Sequence, residues 1–251
     1  MRIVVDAMGG DNAPHEIVKG CLEALKTEGF EIELLGDRAK IEKCLGPENL
    51  NNKRIIITET YDEITNSDKP TEAVRKKRNS AIVVGMKKIK DQSAQAFISA
   101  GSTGALLAGS LLIAGRMKGV SRPALAPIVP SIKGQTMIID AGMNTQIKTI
   151  NYVQFAIMGT EYMRNMFGIQ EPRVGLVNVG TEEGKGNEAL KQAFEELQKA
   201  NINFIGNVEG RDITEGKVDI AVCDGFTGNA MLKIMEGTGK YFMNYLKKMY
   251  S

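Results

Sequence analysis

Histidine is almost missing from this chain. His15 is the single one in 251 residues, and it follows a proline near the start. A Ser-His-Asp or Cys-His arrangement would have to use that residue, so acyl-enzyme chemistry of those kinds is disfavoured. Tryptophan is absent. Cysteine is scarce: Cys21, Cys44 and Cys223 are far apart, form no CxxC pair and have no histidine beside them. That excludes a zinc-finger spacing and a disulfide framework, and it points to a reducing, cytoplasmic setting. No run reaches the roughly 18 apolar residues of a membrane span. The first residues place an acid inside an apolar strand, unlike a secretory leader. Net charge is only +2. Bulk electrostatics therefore make no case for nucleic acid, and any preference for anions must be local.

What is present is a regular alternation. Apolar runs of strand length (RIVVDA, EIELLGD, RIIITET, QAFISA, TMIIDA, VGLVNVG, INFIGN, VDIAVCDG) are separated by stretches of helical period. Helices are expected at 17–26, 38–44, from about 71, at 103–114, 152–164 and 188–200, and from about 227. A loop and a short connector follow INFIGN. Short apolar strands alternating with amphipathic helices predict an α/β fold, a three-layer α/β/α arrangement with a mostly parallel sheet. No linker or fixed-period repeat interrupts it, so residues 1–251 read as a single α/β domain.

Five of the strands end in the same punctuation. Asp6 is followed by Gly9, Gly10 and Asp11. Ser99–Gly104, Asp140–Asn144, Asn178–Thr181 and Asp224–Asn229 are the others. Gly, Asp and Asn make tight turns anywhere. Five such turns in one α/β chain also predict a ligand site, because open sheets bind at the carboxyl ends of their strands. Ser102, Thr103 and Gly104 open a helix, either as an ordinary cap or as an anion cradle of free N–H groups. The run GTEEGKGNE at 180–188 approaches a nucleotide P-loop and fails it: three residues, not four, precede Gly184-Lys185, and Gly186 stands where Ser or Thr would hold magnesium. Lys185 nevertheless lies among glycines before a helix, where a cation suits phosphate or a developing oxyanion. Arg75, Lys76, Lys77 and Arg78 form a basic run that reads equally as a solvated helix face or as a dock for an acidic partner. The last helix carries Met231, Ile234, Met235, Phe242, Tyr245, Leu246 and Met249 at helical spacing among lysines. Such a stripe is a core or dimer face, or an interfacial membrane helix.

Together these strings resemble the phosphate acyltransferase family of bacterial phospholipid synthesis, the acyl-carrier-protein:phosphate transacylases. The residues that carry the resemblance are VDAMGGDNAP (5–14), AVRKKRNS (73–80), ISAGSTGAL (98–106), GRMKGVSRPALAP (115–127), VQFAIMG (153–159), VGLVNVGTEEGKGNE (174–188), NFIGNVEGRDI (203–213) and CDGFTGNAMLK (223–233). The resemblance implies a homodimeric fold similar to isocitrate and isopropylmalate dehydrogenases. It implies transfer of a long-chain fatty acyl group from acyl carrier protein to inorganic phosphate, with no metal or other cofactor. It also implies a soluble protein that associates with the inner membrane surface. Two features depart from the family pattern: Met143 is bulkier than the residue expected between Gly142 and Asn144, and the family continues past the final helix, so the chain looks truncated at its C-terminal end.

A thioester is already activated and phosphate is a competent nucleophile, so the expected mechanism is direct attack. In that arrangement Ser102, Thr103 and Gly104 hold phosphate, Lys185 and Asn229 stabilise the oxyanion, and Asp224 holds the lysine or asparagine in place. Asp6, Asp11, Asn144 and Asn207 shape the substrate site, and Arg75–Arg78 dock the carrier protein. Three other readings remain at this point: a phosphate acetyltransferase that uses coenzyme A; a dehydrogenase of the isopropylmalate type, for which no metal-binding acid cluster is apparent; and a non-catalytic scaffold on a membrane surface.

Overall fold

The structure, a computed structural model, describes residues 1–27 and 29–250. The chain divides into two compact units, Met1–Met117 and Lys118–Ser251, each built on its own sheet.

The first unit begins with β1 (Arg2–Asp6), followed by α1 (His15–Ala24), β2 (Glu31–Gly36), α2 (Arg38–Leu45) and β3 (Ile55–Glu59). Next come α3 (Pro70–Lys76), α4 (Ala81–Lys90), β4 (Ala96–Ile98) and α5 (Thr103–Gly109), which runs into a π-helical turn at Ser110–Ala114. The strand order is β3-β2-β1-β4, with every pair parallel. Alternate residues face opposite layers. Val5 and Leu34 pack with Val18, Ile41 and Leu45, while Val4 and Leu35 pack with Ala81 and Ala94. Helices cover both faces, which is why β1 and β2 read as unbroken apolar runs. The helix expected from about residue 71 is in fact two. After α3 the chain leaves helical geometry at Lys77, and Ser80 starts α4 by accepting a hydrogen bond from Val83 N (3.4 Å). A helix cap of this type contributes about 1 kcal/mol.

The second unit holds β5 (Ile128–Ser131), β6 (Gly134–Ile139), α6 (Thr149–Phe167), β7 (Val174–Val177) and α7 (Glu188–Lys199). It continues with β8 (Phe204–Val208), α8 (Gly210–Glu215), β9 (Ile220–Val222) and α9 (Gly225–Tyr250). Its order is β5-β6-β9-β7-β8, parallel except for the β5–β6 hairpin. Met137, Ile139, Leu176, Ile220 and Val222 face α6 and α7, whereas Ile138, Val177, Ala221 and Cys223 face Ile213 of α8 and Met231, Leu232 and Met235 of α9. The α/β alternation therefore gives helices on both sides of mostly parallel sheets, as expected. Strand β5 was not expected: it has four residues, includes Pro130 and lies at the sheet edge, where a missing N–H is tolerated. No helix among the described residues is long and apolar enough to cross a membrane.

The entrances of β7 and β9 are locked by one ion pair. Asp219 accepts from Arg173 N (2.7 Å), Nε (3.0 Å) and Nη2 (2.9 Å). Burial pushes the Asp219 carboxyl up, but the Arg173 side-chain and backbone hydrogen bonds outweigh it and hold the group below its ordinary value. A carboxyl whose folded value is depressed stabilises the fold above its unfolded value, about 4, and loses that contribution as pH falls through the lower folded value. Asp219→Asn is therefore expected to destabilise the protein at pH 7 and to flatten the fall in urea midpoint below about pH 4. An acid limb as steep as that of the parent would contradict this.

Candidate active site

In the first unit the loops that follow β1 and β4 meet where the strand order reverses, the usual ligand position in an open parallel sheet. Ser99 Oγ donates to Asp6 Oδ2 (2.7 Å) and accepts from Gly101 N (3.0 Å), while Asp6 Oδ1 accepts from Met8 N (3.1 Å). The two backbones approach so closely that a Cβ on Gly9 would stand 2.7 Å from both Gly101 N and Asp6 Oδ2. Asp6 is thus a buried pin between two loops. Burial raises its carboxyl above the ordinary value, against the hydrogen bonds from Ser99 and the loop backbone.

Beside Asp6 lies a cavity of about 270 Å³. Asp37, Glu59, Asp62 and Glu63 also line it, with Lys40 the one cation among the described residues of the lining, so its charge disfavours phosphate. Of the expected phosphate cradle, Ser102 is buried and accepts from Ala105 N (3.4 Å) as the helix cap, and Thr103 is exposed. Gly104 leaves room for Pro70 Cγ, which a Cβ there would meet at 2.8 Å. Asp11 is exposed. In the basic run Lys77 turns inward, donating to Asp68 Oδ2 (2.7 Å) and Glu63 O (2.6 Å). Its hydrogen bond is the main cause holding the Asp68 carboxyl down to about 2. Arg75, Lys76 and Arg78 remain exposed, and Lys76 lies 3.3 Å from Glu72.

In the second unit the order β6-β9-β7-β8 sets the segments after these strands side by side along one edge, with neighbouring strands about 4.8 Å apart. Asp140 is fully buried at the end of β6. Its Oδ1 accepts from Leu125 N (2.9 Å) and Met143 N (3.2 Å), and its Oδ2 accepts from Asn144 N (2.7 Å) and Asn144 Nδ2 (2.9 Å). Asn144 also donates to Pro123 O (2.8 Å), accepts from Arg122 Nη1 (3.3 Å), and receives Gly225 N at its carbonyl (2.8 Å). The first turn of α9 is thereby fastened to the β6 loop. Gly142 faces Asn229, whose Oδ1 lies 3.6 Å from where a Gly142 Cβ would stand.

Two strands along, Asn178 Nδ2 donates to Lys185 O (3.0 Å) and Asn207 Oδ1 (3.2 Å), and Asn207 Nδ2 donates to Glu182 O (2.8 Å). These bonds hold the loop that carries Lys185. The lysine side chain is half exposed, with Nζ 3.9 Å from Glu182 Oε1.

This geometry sorts the expected site residues. Lys185, on the loop after β7, and Asn229, the fifth residue of α9, are both exposed and follow neighbouring strands of one sheet edge. Asn144 and Asn207 are buried loop clamps. Asp224 is placed differently from the expectation: its carboxylate accepts from Phe226 N (2.9 Å), Thr227 N (3.0 Å) and Thr227 Oγ1 (2.7 Å), so it caps α9 and is bonded to neither Lys185 nor Asn229. Its chain neighbours supply donors that no distant residue has to provide. Asp140, Asn178 and Ser99 lie in turns expected at the ligand edge, but none was given a role of its own. An acid, amide or hydroxyl directly after an apolar strand was the available signal for each. Among the described residues, no group of three or more His, Cys, Asp or Glu side chains is arranged to hold a metal ion.

Comparison with known proteins agrees with this architecture. A family model described as "Fatty acid synthesis protein" matches residues 1–251. The phosphate acyltransferase of Acetivibrio thermocellus is 54% identical over 248 residues, covering 98% of this chain and 73% of the relative. That of Thermoanaerobacter pseudethanolicus is 52% identical over 249 residues, covering 99% and 74%. Among solved structures, a phosphotransacetylase from Streptococcus pyogenes superposes with a TM-score of 0.70 at 20% identity, over 96% of this chain and 82% of that one. The EutD phosphotransacetylase from Staphylococcus aureus gives 0.69 at 17% identity over the same shares. These two share the fold. The chain therefore belongs to the fatty acid synthesis protein family, the family of the phosphate acyltransferases.

Proposed function

We propose that this protein transfers a long-chain fatty acyl group from acyl carrier protein to inorganic phosphate, and that the carboxyl edge of the second sheet holds the acyl carbonyl. The observation that carries the reading is that Lys185 and Asn229 are both exposed in glycine-rich segments that follow neighbouring strands of one sheet edge. A phosphate oxygen attacks the thioester carbon, the C–S bond breaks, and an acyl phosphate forms. The proton of the phosphate monoanion or dianion passes through solvent to the carrier thiolate. That thiol has an ordinary pKa of about 8.5, so its departure needs little acid assistance.

Two tasks remain for the protein. Fixing the reactants in an attack geometry can supply about 7–11 kcal/mol. Lys185 and Asn229 supply a cation and an amide donor to the oxygen that becomes negative in the tetrahedral intermediate. The exposed Arg75, Lys76 and Arg78 suit an acidic carrier domain. A second copy of the chain is proposed to cover Phe242, Tyr245, Leu246 and Met249, which are exposed on α9.

The test is a comparison of donors. With phosphate present, palmitoyl carrier protein is expected to yield palmitoyl phosphate far faster than acetyl-coenzyme A yields acetyl phosphate. The reverse preference would show a coenzyme A enzyme instead.

A further inference from the structure

Tyr152 is 5% exposed, and its ring packs with Ile139, Phe155 and Val222 against the second sheet. It lies in the first turn of α6, the helix that follows the β6 loop and returns across the sheet. A helix connecting two parallel strands begins at the carboxyl edge of the strand before it. The buried ring therefore sits directly beneath the loops that carry the candidate site.

Its hydroxyl has no hydrogen-bond partner among the described residues. Among the described residues, the fully buried unpaired side-chain polar atoms are Arg2 Nε, Glu33 Oε2, Ser131 Oγ and Thr160 Oγ1, and the Tyr152 hydroxyl is not one of them, so it keeps some contact with solvent. A nine-tenths buried tyrosine whose hydroxyl has no protein partner is unusual, since a buried phenol normally finds one.

We propose that Tyr152 is a further catalytic residue, which donates its hydroxyl hydrogen to the thioester carbonyl oxygen of the bound acyl donor as that oxygen gains negative charge. The proposal rests on the acyl transfer reading above. Burial, followed by the negative charge of nearby Asp224, pushes the phenol up to about 12. The group therefore stays protonated and able to donate throughout the working range.

Tyr152→Phe tests it, because the ring stays and only the unpaired oxygen is removed. Turnover of palmitoyl carrier protein with phosphate is expected to fall about 10–100-fold in kcat, the range for losing a hydrogen bond to a charged group. The KM for phosphate and the melting temperature are expected to match the parent. An unchanged kcat would overturn the assignment. So would a loss accompanied by a lower melting temperature, which would mark a packing role, or a rise in phosphate KM at constant kcat. If the parent chain itself forms no acyl phosphate, the function reading falls and this inference with it. An active parent with an indifferent variant removes Tyr152 alone.

Discussion

Lys185→Ala is expected to lower acyl phosphate formation by about 10²–10³-fold in kcat while leaving the melting temperature unchanged. The size follows from what the side chain is asked to do. Removing one preorganised donor from a developing oxyanion costs roughly 3–4 kcal/mol of transition-state stabilisation. The folded state should be indifferent because the side chain is half exposed and its ion pair with Glu182 is long, 3.9 Å. Exposed pairs of that kind contribute little. The loop is held through backbone oxygens, Asn178 to Lys185 O and Asn207 to Glu182 O, which the substitution leaves in place. Lys185→Arg should recover only part of the rate, since a guanidinium presents its charge as a planar fork rather than a compact ammonium. Steady-state turnover and thermal melting of the same samples check this. Full turnover in Lys185→Ala would remove the lysine from the mechanism.

Gly228→Ala is expected to destabilise the fold more than a methyl group added at any other described glycine. A Cβ at Gly228 would overlap the backbone carbonyl oxygen of Asp140 and approach Asp140 C at 2.9 Å and Ala141 Cα at 3.0 Å. These are main-chain atoms at the end of a central strand, and Asp140 is fixed there by four donated hydrogen bonds, so they cannot yield. The first turn of α9 must move instead, which breaks the bond from Gly225 N to Asn144 O and displaces Asn229. Overpacking costs about 1–3 kcal/mol and sometimes more, and a rigid obstacle belongs at the upper end. For a chain of this size about 3 kcal/mol lowers the melting temperature by roughly 6–12 °C. Gly237→Ala in the same helix is the control. Nothing lies within 4 Å of that Cβ, so the substitution should stabilise the helix by up to about 1 kcal/mol. Equal melting temperatures for the two variants would show that α9 does not rest on the β6 loop as described.

How far the sequence foretold these features depended on whether each was local. Parallel strands such as Val174–Val177 were legible because both faces are covered, which leaves an apolar run between turn residues. The breaks inside longer patterns were not. Lys77–Ser80 separates α3 from α4, yet it looks like the polar face of one helix until Ser80 is seen capping the second. Pro130 hid β5, since a short edge strand needs no periodicity of its own. Among the candidate site residues, Lys185 was conspicuous because glycines surround it. The roles of Asp140, Asn207 and Ser99 depend on partners distant in sequence; Ser99 bonds to Asp6, 93 residues away. Asp224 was noticed for its position but misread in its role, because its capping bonds to Phe226 and Thr227 compete with any longer reach. Tyr152 falls on the core face of a helix by spacing alone, and only the missing partner of its hydroxyl distinguishes it from an ordinary core aromatic.

The most direct test of the account is the stoichiometry of transfer. Palmitoyl carrier protein is incubated with the enzyme with and without phosphate, and free carrier thiol, palmitoyl phosphate and free palmitate are quantified together. The account predicts that thiol release requires phosphate and equals palmitoyl phosphate mole for mole. Thiol release without phosphate, matched by palmitate or by an acyl group left on the protein, would contradict direct transfer between the two substrates.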